Sequence, residues 1–277
     1  MAAVPAIPAG QEPIVATTFA EKLRLGISDA LVITRRSLLR VPRQPELLLG
    51  FTIQPVMFVL LFRYVFGGAI QTPGTSYVDF LLPGILVQSI AFGSTVTGVG
   101  IAADMQQGLI DRFRSLPMAR SAVLAGRTIA DIATNWLQLA VMIAVGYVVG
   151  FRFSTSVPDV SAGLALLTLV GFAFSWLSAL IAMGLSSVEA AQQASFIWLF
   201  PLTFVSSAFA PPETMPEPLR TFASDINPFS LWVDSLRHLF VGTPIGDEVW
   251  QGLIWAVGII VVFGPLAVWR YRKVSTR

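Results

Sequence analysis

Cysteine is absent from the 277 residues, which excludes disulfides, thiolate metal sites and cysteine nucleophiles. Histidine occurs once, at His238; a single imidazole cannot build a multi-histidine metal site and makes a Ser-His-Asp hydrolase a poor reading. Lysine occurs only at Lys22, after Glu21, and at Lys273, after Arg272. The chain therefore contains no Gly-Lys dipeptide, and a Gly-x-x-x-x-Gly-Lys-Ser/Thr phosphate loop cannot be written anywhere in it. Any P-loop ATPase acting with this protein must be a separate chain. Charge is scarce as well. Asp, Glu, Lys and Arg make up 12% of the residues, roughly half the ~25% of an ordinary soluble domain.

What is present in excess is apolar side chain, 55% of the chain, enough for six bilayer crossings of ~20 residues each. Residues 1–16 are rich in Ala and Pro and lack both a basic start and a continuous apolar core, so they read as a disordered tail and not as a cleavable signal. Over residues 17–46, Phe19, Leu23, Ile27, Leu31 and Leu38 recur at helical spacing while Lys22, Arg24, Arg35 and Arg36 fall largely elsewhere on the wheel. That pattern suits an amphipathic helix lying in the membrane interface. The apolar runs then predict spans at 47–67, 80–103, 128–150, 160–183, 190–210 and 250–269. Residues 211–249 include an amphipathic stretch with Phe229, Trp232, Val233, Leu236 and Phe240 on one face. It is too short to cross, and predicts a pair of short re-entrant or interfacial helices split at Asn227-Pro228. The expected fold is an all-α integral membrane protein of six transmembrane helices with these two additions.

Basic residues set the orientation. Lys22, Arg24, Arg35, Arg36, Arg40 and Arg43 precede the first span; Arg112, Arg114, Arg120 and Arg127 lie between the second and third; Arg270, Arg272, Lys273 and Arg277 follow the sixth. The alternate side holds Arg152, Arg220 and Arg237, and Arg63 sits near the end of a span, where it can snorkel to headgroups. This bias predicts a multi-pass protein of the plasma membrane with both termini and residues 270–277 in the cytoplasm. With a net charge of +2 and its basic residues sorted by membrane side, the chain carries no nucleic-acid footprint.

The connection at 104–127 is too charged to span. Asp104, Asp111, Arg112 and Arg114 are mixed with Leu109, Ile110, Phe113 and Leu116 before a break at Pro117. The mixture describes either a positively charged membrane anchor or a short amphipathic element able to dock into a partner's groove. Asp131 and Asn135 stand one turn apart at the inner end of the third span, either as a proton site or as a favourable charge at a helix N-terminus. Asp234 and Arg237, at i and i+3, can pair across one helical turn, in a structural or a gating role. Gln88, Phe92, Thr95, Trp136, Gln138, Trp198 and Phe204 are candidates to line a path for an amphiphile, although membrane helices also use such polar residues as ordinary contacts.

Three segments resemble one family. GLIDRFRSLPMARSAVLAGRTIAD is similar to the cytoplasmic loop of type-2 ATP-binding-cassette (ABC) exporter permeases, in particular the daunorubicin-resistance permease family. INPFSLWVDSLRHLFVG resembles that family's segment before the last span, with Asn227, Pro228, Asp234, Arg237 and Gly242 on the recurring positions. LPGILVQSI resembles the start of its second span at Pro83 and Gly84. The resemblance implies a half-transporter that pairs with a second permease copy, identical or related, and binds two copies of a separate ABC ATPase, which would hold the ATP and Mg. It implies a coupling helix over Asp104 to Leu116, with Asp104, Gln107, Asp111, Arg112, Phe113, Arg114, Leu116 and Pro117 as the ATPase-coupling residues. The expected function is export of a hydrophobic or amphiphilic compound, such as a drug, antibiotic or lipid-like molecule, with no catalytic site, metal or cofactor in this chain. The competing reading is an ion- or proton-coupled secondary transporter, which would place ionisable residues near the membrane midplane and often shows internal repeats. A membrane enzyme would need a clustered acid, base or nucleophile.

Overall fold

The computed structural model describes residues 45–68, 70, 72, 75–107, 120–185, 187–244 and 246–274. The expected tail at 1–16, nearly all of the interfacial helix at 17–46, and coupling residues Asp111, Arg112, Phe113, Arg114, Leu116 and Pro117 lie outside them. The described residues contain helices and no strands. In chain order they form α1 (Pro45–Leu61), continued by a π-helical turn (Phe62–Phe66), α2 (Tyr77–Gly93), α3 (Thr95–Gln106), α4 (Arg120–Val149), α5 (Val157–Ala182) and α6 (Val188–Phe204). Then come α7 (Glu217–Thr221), extended by a second π-helical turn (Phe222–Ile226), α8 (Pro228–Val241) and α9 (Glu248–Val274).

Local chemistry explains where these helices begin. Ser76 and Ser156 are N-caps whose hydroxyls accept from the backbone N–H of Asp79 (3.2 Å) and Asp159 (3.4 Å), each a Ser-x-x-Asp pair that also favours the helix dipole. Asn227 caps α8, its Oδ1 accepting from Phe229 N at 3.0 Å, with Pro228 in the first turn, where its missing N–H costs nothing. α8 ends at Gly242, which takes a left-handed φ of +80° and donates its N–H to the carbonyls of Arg237 and His238. The split at Asn227-Pro228 thus falls between α7 with its π-helical turn and α8.

Four helical runs among the described residues are long and apolar enough to cross a membrane: Tyr77–Gln106, Ile132–Val149, Val157–Ala182 and Glu248–Tyr271. α1 and α6, in the first and fifth expected spans, are 17 residues each, and α6 stops at Phe204 where a span to residue 210 was expected. Its last turn contains Pro201, which cannot supply an N–H to the turn before it, and the chain from Val205 to Ala210 leaves the helix for irregular backbone. The second expected span is two helices, α2 and α3, meeting at Ser94.

α2 is the buried centre. All its residues except Asp79 and Phe92 are buried, and it packs against α1, α4, α5 and α8. A helix buried on every side needs no polar face. α4 and α9 instead turn Leu137, Val148, Ile254, Val261, Val262 and Leu266 outward, as helices facing lipid do. At the end of the bundle away from Tyr77, a smaller cluster of Ile101, Ala179, Met183, Ala267 and Tyr271 joins α3, α5 and α9.

Candidate functional site

The helices that carry two of the three sequence segments, α2 and α8, pack together. Arg237, on the buried face of α8, aims its guanidinium at α2. Nε donates to the Phe80 carbonyl (3.0 Å), Nη2 to the Ser207 carbonyl (2.6 Å) and Nη1 to Asp234 Oδ1 (2.6 Å). The guanidinium also lies over the Phe80 ring, 3.6 Å from its centre, a cation–π contact. Each edge of the cation is therefore occupied. Pro83, in the same turn of α2 as Phe80, lacks the N–H that would bond the Asp79 carbonyl.

Ser207 is the hub on the irregular segment after α6. Its N–H donates to Ser230 Oγ (3.0 Å), its hydroxyl to Asp234 Oδ1 (3.0 Å), and its carbonyl accepts from Arg237. Asn227 Nδ2 donates to the carbonyls of Leu202 (2.7 Å) and Val205 (2.6 Å), the orphan acceptors of α6's last turn. Tyr77 Oη donates to the Phe209 carbonyl (3.2 Å). Gly84 completes the contact by having no side chain: a Cβ there would sit 2.5 Å from the Ala208 carbonyl oxygen. Residues 205–209 are thereby clamped between α2 and α8, with backbone polar groups satisfied where no regular structure does so.

The electrostatics are unequal. The Arg237 side chain is 7% exposed and that of Asp234 39%. α8 lies outside the candidate spans, and there burial pushes the Asp234 carboxyl above its ordinary value and the Arg237 guanidinium below its own, each shift opposed by the partner's charge. Such a pair costs desolvation and is sustained by its additional hydrogen bonds. The i, i+3 pairing of Asp234 with Arg237 expected from spacing is present, as one contact among several made by that arginine.

The remaining candidates are dispersed. Asp104 lies on the last turn of α3 and Gln107 caps its end, donating its N–H to the Ala103 carbonyl. Gln88 is buried on α2 and its Nε2 has no hydrogen-bond partner. Phe92, one turn on, meets Phe196 of α6 at 5.4 Å between ring centres, and Thr95 opens α3 with its hydroxyl donating to the Phe92 carbonyl. Trp198 stacks on Phe174 of α5 at 5.6 Å. Phe204 stacks on Phe200 and Phe209. On α4 Gln138 is buried, whereas Trp136 is 43% exposed and borders a shallow cleft with Ile90, Asn135, Leu139, Leu167 and Thr168. These residues are spread out: Phe92 at the α2–α6 seam, Trp198 at the α5–α6 seam, Gln138 facing Gly93 of α2, Phe204 beside Phe58 of α1, and Trp136 on the α4 surface.

Sequence reading did not single out Ser207, Ser230, Tyr77 or the carbonyl of Phe80. Backbone acceptors leave no mark in a sequence, and the serines are two among many. The one usable signal was the departure from apolar run at Ser206-Ser207, close to Pro201.

Comparison with known proteins matches residues 29–241 to the family described as ABC-2 type transporter. The chain is 32% identical over 265 residues to the daunorubicin resistance ABC transporter permease protein DrrB1 of Streptomyces coeruleorubidus, covering 96% of this chain and 90% of that one. It is 25% identical over 255 residues to the probable doxorubicin resistance ABC transporter permease protein DrrC of Mycobacterium tuberculosis, covering 91% of each. With the probable multidrug ABC transporter permease YbhR of Escherichia coli K12 it shares 23% identity over 205 residues, 73% of this chain and 54% of the other.

Proposed function

The chain belongs to the ABC-2 type transporter family, and on that premise we propose that it is the membrane-spanning permease subunit of an ATP-driven exporter of hydrophobic or amphiphilic compounds. In this reading α1 and α6 join the four long runs to make six spans, α7 and α8 form a re-entrant pair on the outer side, and both termini face the cytoplasm. The permease pairs with a second copy, identical or related, and engages two copies of a separate ABC ATPase that binds ATP and Mg. Relatives named for daunorubicin, doxorubicin and multidrug resistance support a cargo of drug-like amphiphiles.

The observation that carries the reading is continuity. The helical run from Tyr77 begins in the clamp and ends at Gln106, one residue before Gln107 and the charged segment expected to touch the ATPase. A displacement of residues 104–117 would be passed along α3 toward α2, while Gln88, Phe92, Thr95, Trp136, Gln138, Trp198 and Phe204 are candidates to meet the cargo. A path rich in rings and amides suits a cargo that partitions from the bilayer, for which burial supplies most of the binding. Against a gradient-driven carrier, no Asp, Glu, Lys, Arg or His is buried within the candidate spans among the described residues, whose buried polar side chains are amides and hydroxyls; the side chain of Asp131 lies outside the described ones.

The test is reconstitution with an ABC ATPase encoded beside the chain, using daunorubicin as the fluorescent probe. ATP-dependent accumulation that vanishes when the ATPase is omitted supports the exporter. Accumulation that persists without ATPase and collapses with the proton gradient overturns it.

A further inference from the structure

The division of one expected span into α2 and α3 has a local cause. Ser94 and Thr95 both turn their hydroxyls back on the preceding turn, Ser94 Oγ donating to the Ile90 carbonyl (2.7 Å) and Thr95 Oγ1 to the Phe92 carbonyl (2.7 Å). Back-bonding of this kind competes with the helix ladder and bends it. The Ser94 hydroxyl also reaches the Gly171 carbonyl of α5 at 3.0 Å, so the break is pinned sideways to a neighbouring helix. Proline is not the cause: the nearest is Pro83, at the far end of α2.

The two sides of the break are held differently. On one side α2 carries the polar clamp of Arg237, Ser207 and Tyr77. On the other, α3 rests mainly on α5 and α6, and its seam with α5 combines small groups, Gly98 against the Ser178 backbone and Ala102 with Ala182, with the apolar cluster of Ile101, Ala179 and Met183. Apolar contacts can be exchanged without leaving a charge unpaired, whereas α2 can move only by breaking charged hydrogen bonds. Within that seam the Ser178 hydroxyl is buried and has no hydrogen-bond partner. A buried orphan hydroxyl calls for an explanation, and a second seating of α3 that supplies it with an acceptor is one.

We propose that Ser94 is a hinge: α3 pivots there against α5 while α2 stays fixed to the clamp, converting displacement of the segment after Gln106 into a change of bend at mid-bundle. The inference rests on the exporter reading for the source of that displacement. α3 has 12 residues and is therefore about 18 Å long, so a swing of about 15° carries its end about 5 Å.

The chain's lack of cysteine allows spin labels at introduced cysteines. One protomer labelled at Leu219 and Gln106, and another at Leu219 and Ser76, are diluted with unlabelled protomers in the reconstituted complex with its ATPase. Distances are measured without nucleotide and with ATP plus vanadate, and daunorubicin export is assayed on the same samples. A hinge predicts that the Leu219–Gln106 distance shifts by about 5 Å while Leu219–Ser76 holds. It also predicts that Ser94→Ala, which frees the pivot, alters the balance of the two Leu219–Gln106 populations by about fivefold with the complex intact. If the complex exports and both distances hold, or both change together, the hinge is wrong and the exporter reading stands. If no ATP-dependent export occurs, the exporter reading fails and the hinge falls with it.

Discussion

Arg237 is the residue on which most of the clamp converges. Replacing it with Ala leaves the Phe80 and Ser207 carbonyls unpaired in the interior and removes the ring contact, so Arg237→Ala is expected to destabilise the fold by about 3–5 kcal/mol in mixed-micelle unfolding. Lys keeps the charge but not the planar fork, and cannot reach three acceptors in three directions. Arg237→Lys should recover less than half of the loss. Asp234→Asn should be milder, about 1–2 kcal/mol, because the half-exposed carboxyl leaves a position that water can reach and the arginine keeps both carbonyl partners. At Gly84 the obstacle is steric: Gly84→Ala must push back the Ala208 backbone, at about 1–3 kcal/mol. Asn227→Ala loses a cap and two bonds to α6 and is expected to cost about 1–2 kcal/mol by the same measurement. These positions were visible in the sequence to different degrees. Asp234 and Arg237 could be paired from their spacing, and Asn227 could be read as a break. That Arg237 spends two of its edges on carbonyls of distant segments could not be read, because main-chain oxygens are the same at every residue.

Among elements, α8 shows how far periodicity reaches: its apolar stripe marked Phe229, Trp232, Val233, Leu236 and Phe240, and all of them are buried. Hydropathy was a poorer guide to where helices stop. Residues 205–210 are apolar enough to extend α6, yet they run as irregular chain because Pro201 weakens the last turn and the clamp offers their backbone groups better partners. The break at Ser94 escaped hydropathy for a related reason, since Gly, Ser and Thr are ordinary in membrane helices and only the geometry reveals that two hydroxyls compete with the ladder. If that competition sets the bend, Thr95→Val should straighten the junction. The change is readable as a lengthened Leu219–Gln106 distance in the nucleotide-free state, whereas an unchanged distance would assign the bend to packing alone.

For the whole molecule, low charge, absent cysteine and the one-sided distribution of Arg and Lys in the sequence indicate an all-helical membrane protein, and the family match over residues 29–241 agrees with the resemblance carried by the segments at Pro83-Gly84, at 108–131 and at 226–242. Two of those segments lie on α2 and α8, the two helices that hold residues 205–209, which gives the resemblance a physical basis in packing between helices far apart in the chain. The third leads from the end of α3 into α4 and is where the exporter reading expects an ATPase. The dispersed placement of Gln88, Trp136 and Trp198 over three surfaces has a physical reason too. Polar and aromatic groups in membrane helices serve helix contacts as readily as a path, and composition does not distinguish the two.

The measurement that bears most directly on the central claim is recovery of the assembly. The chain is co-expressed with the ABC ATPase encoded beside it, purified through a tag on the permease, and compared with the double variant Asp111→Arg, Arg114→Glu. A permease subunit predicts an ATPase that co-purifies with the native chain and is lost from the variant while the variant remains folded. An ATPase retained equally by both would contradict the coupling surface, and failure of the native chain to retain the ATPase, with proton-driven transport by the permease alone, would contradict the exporter itself.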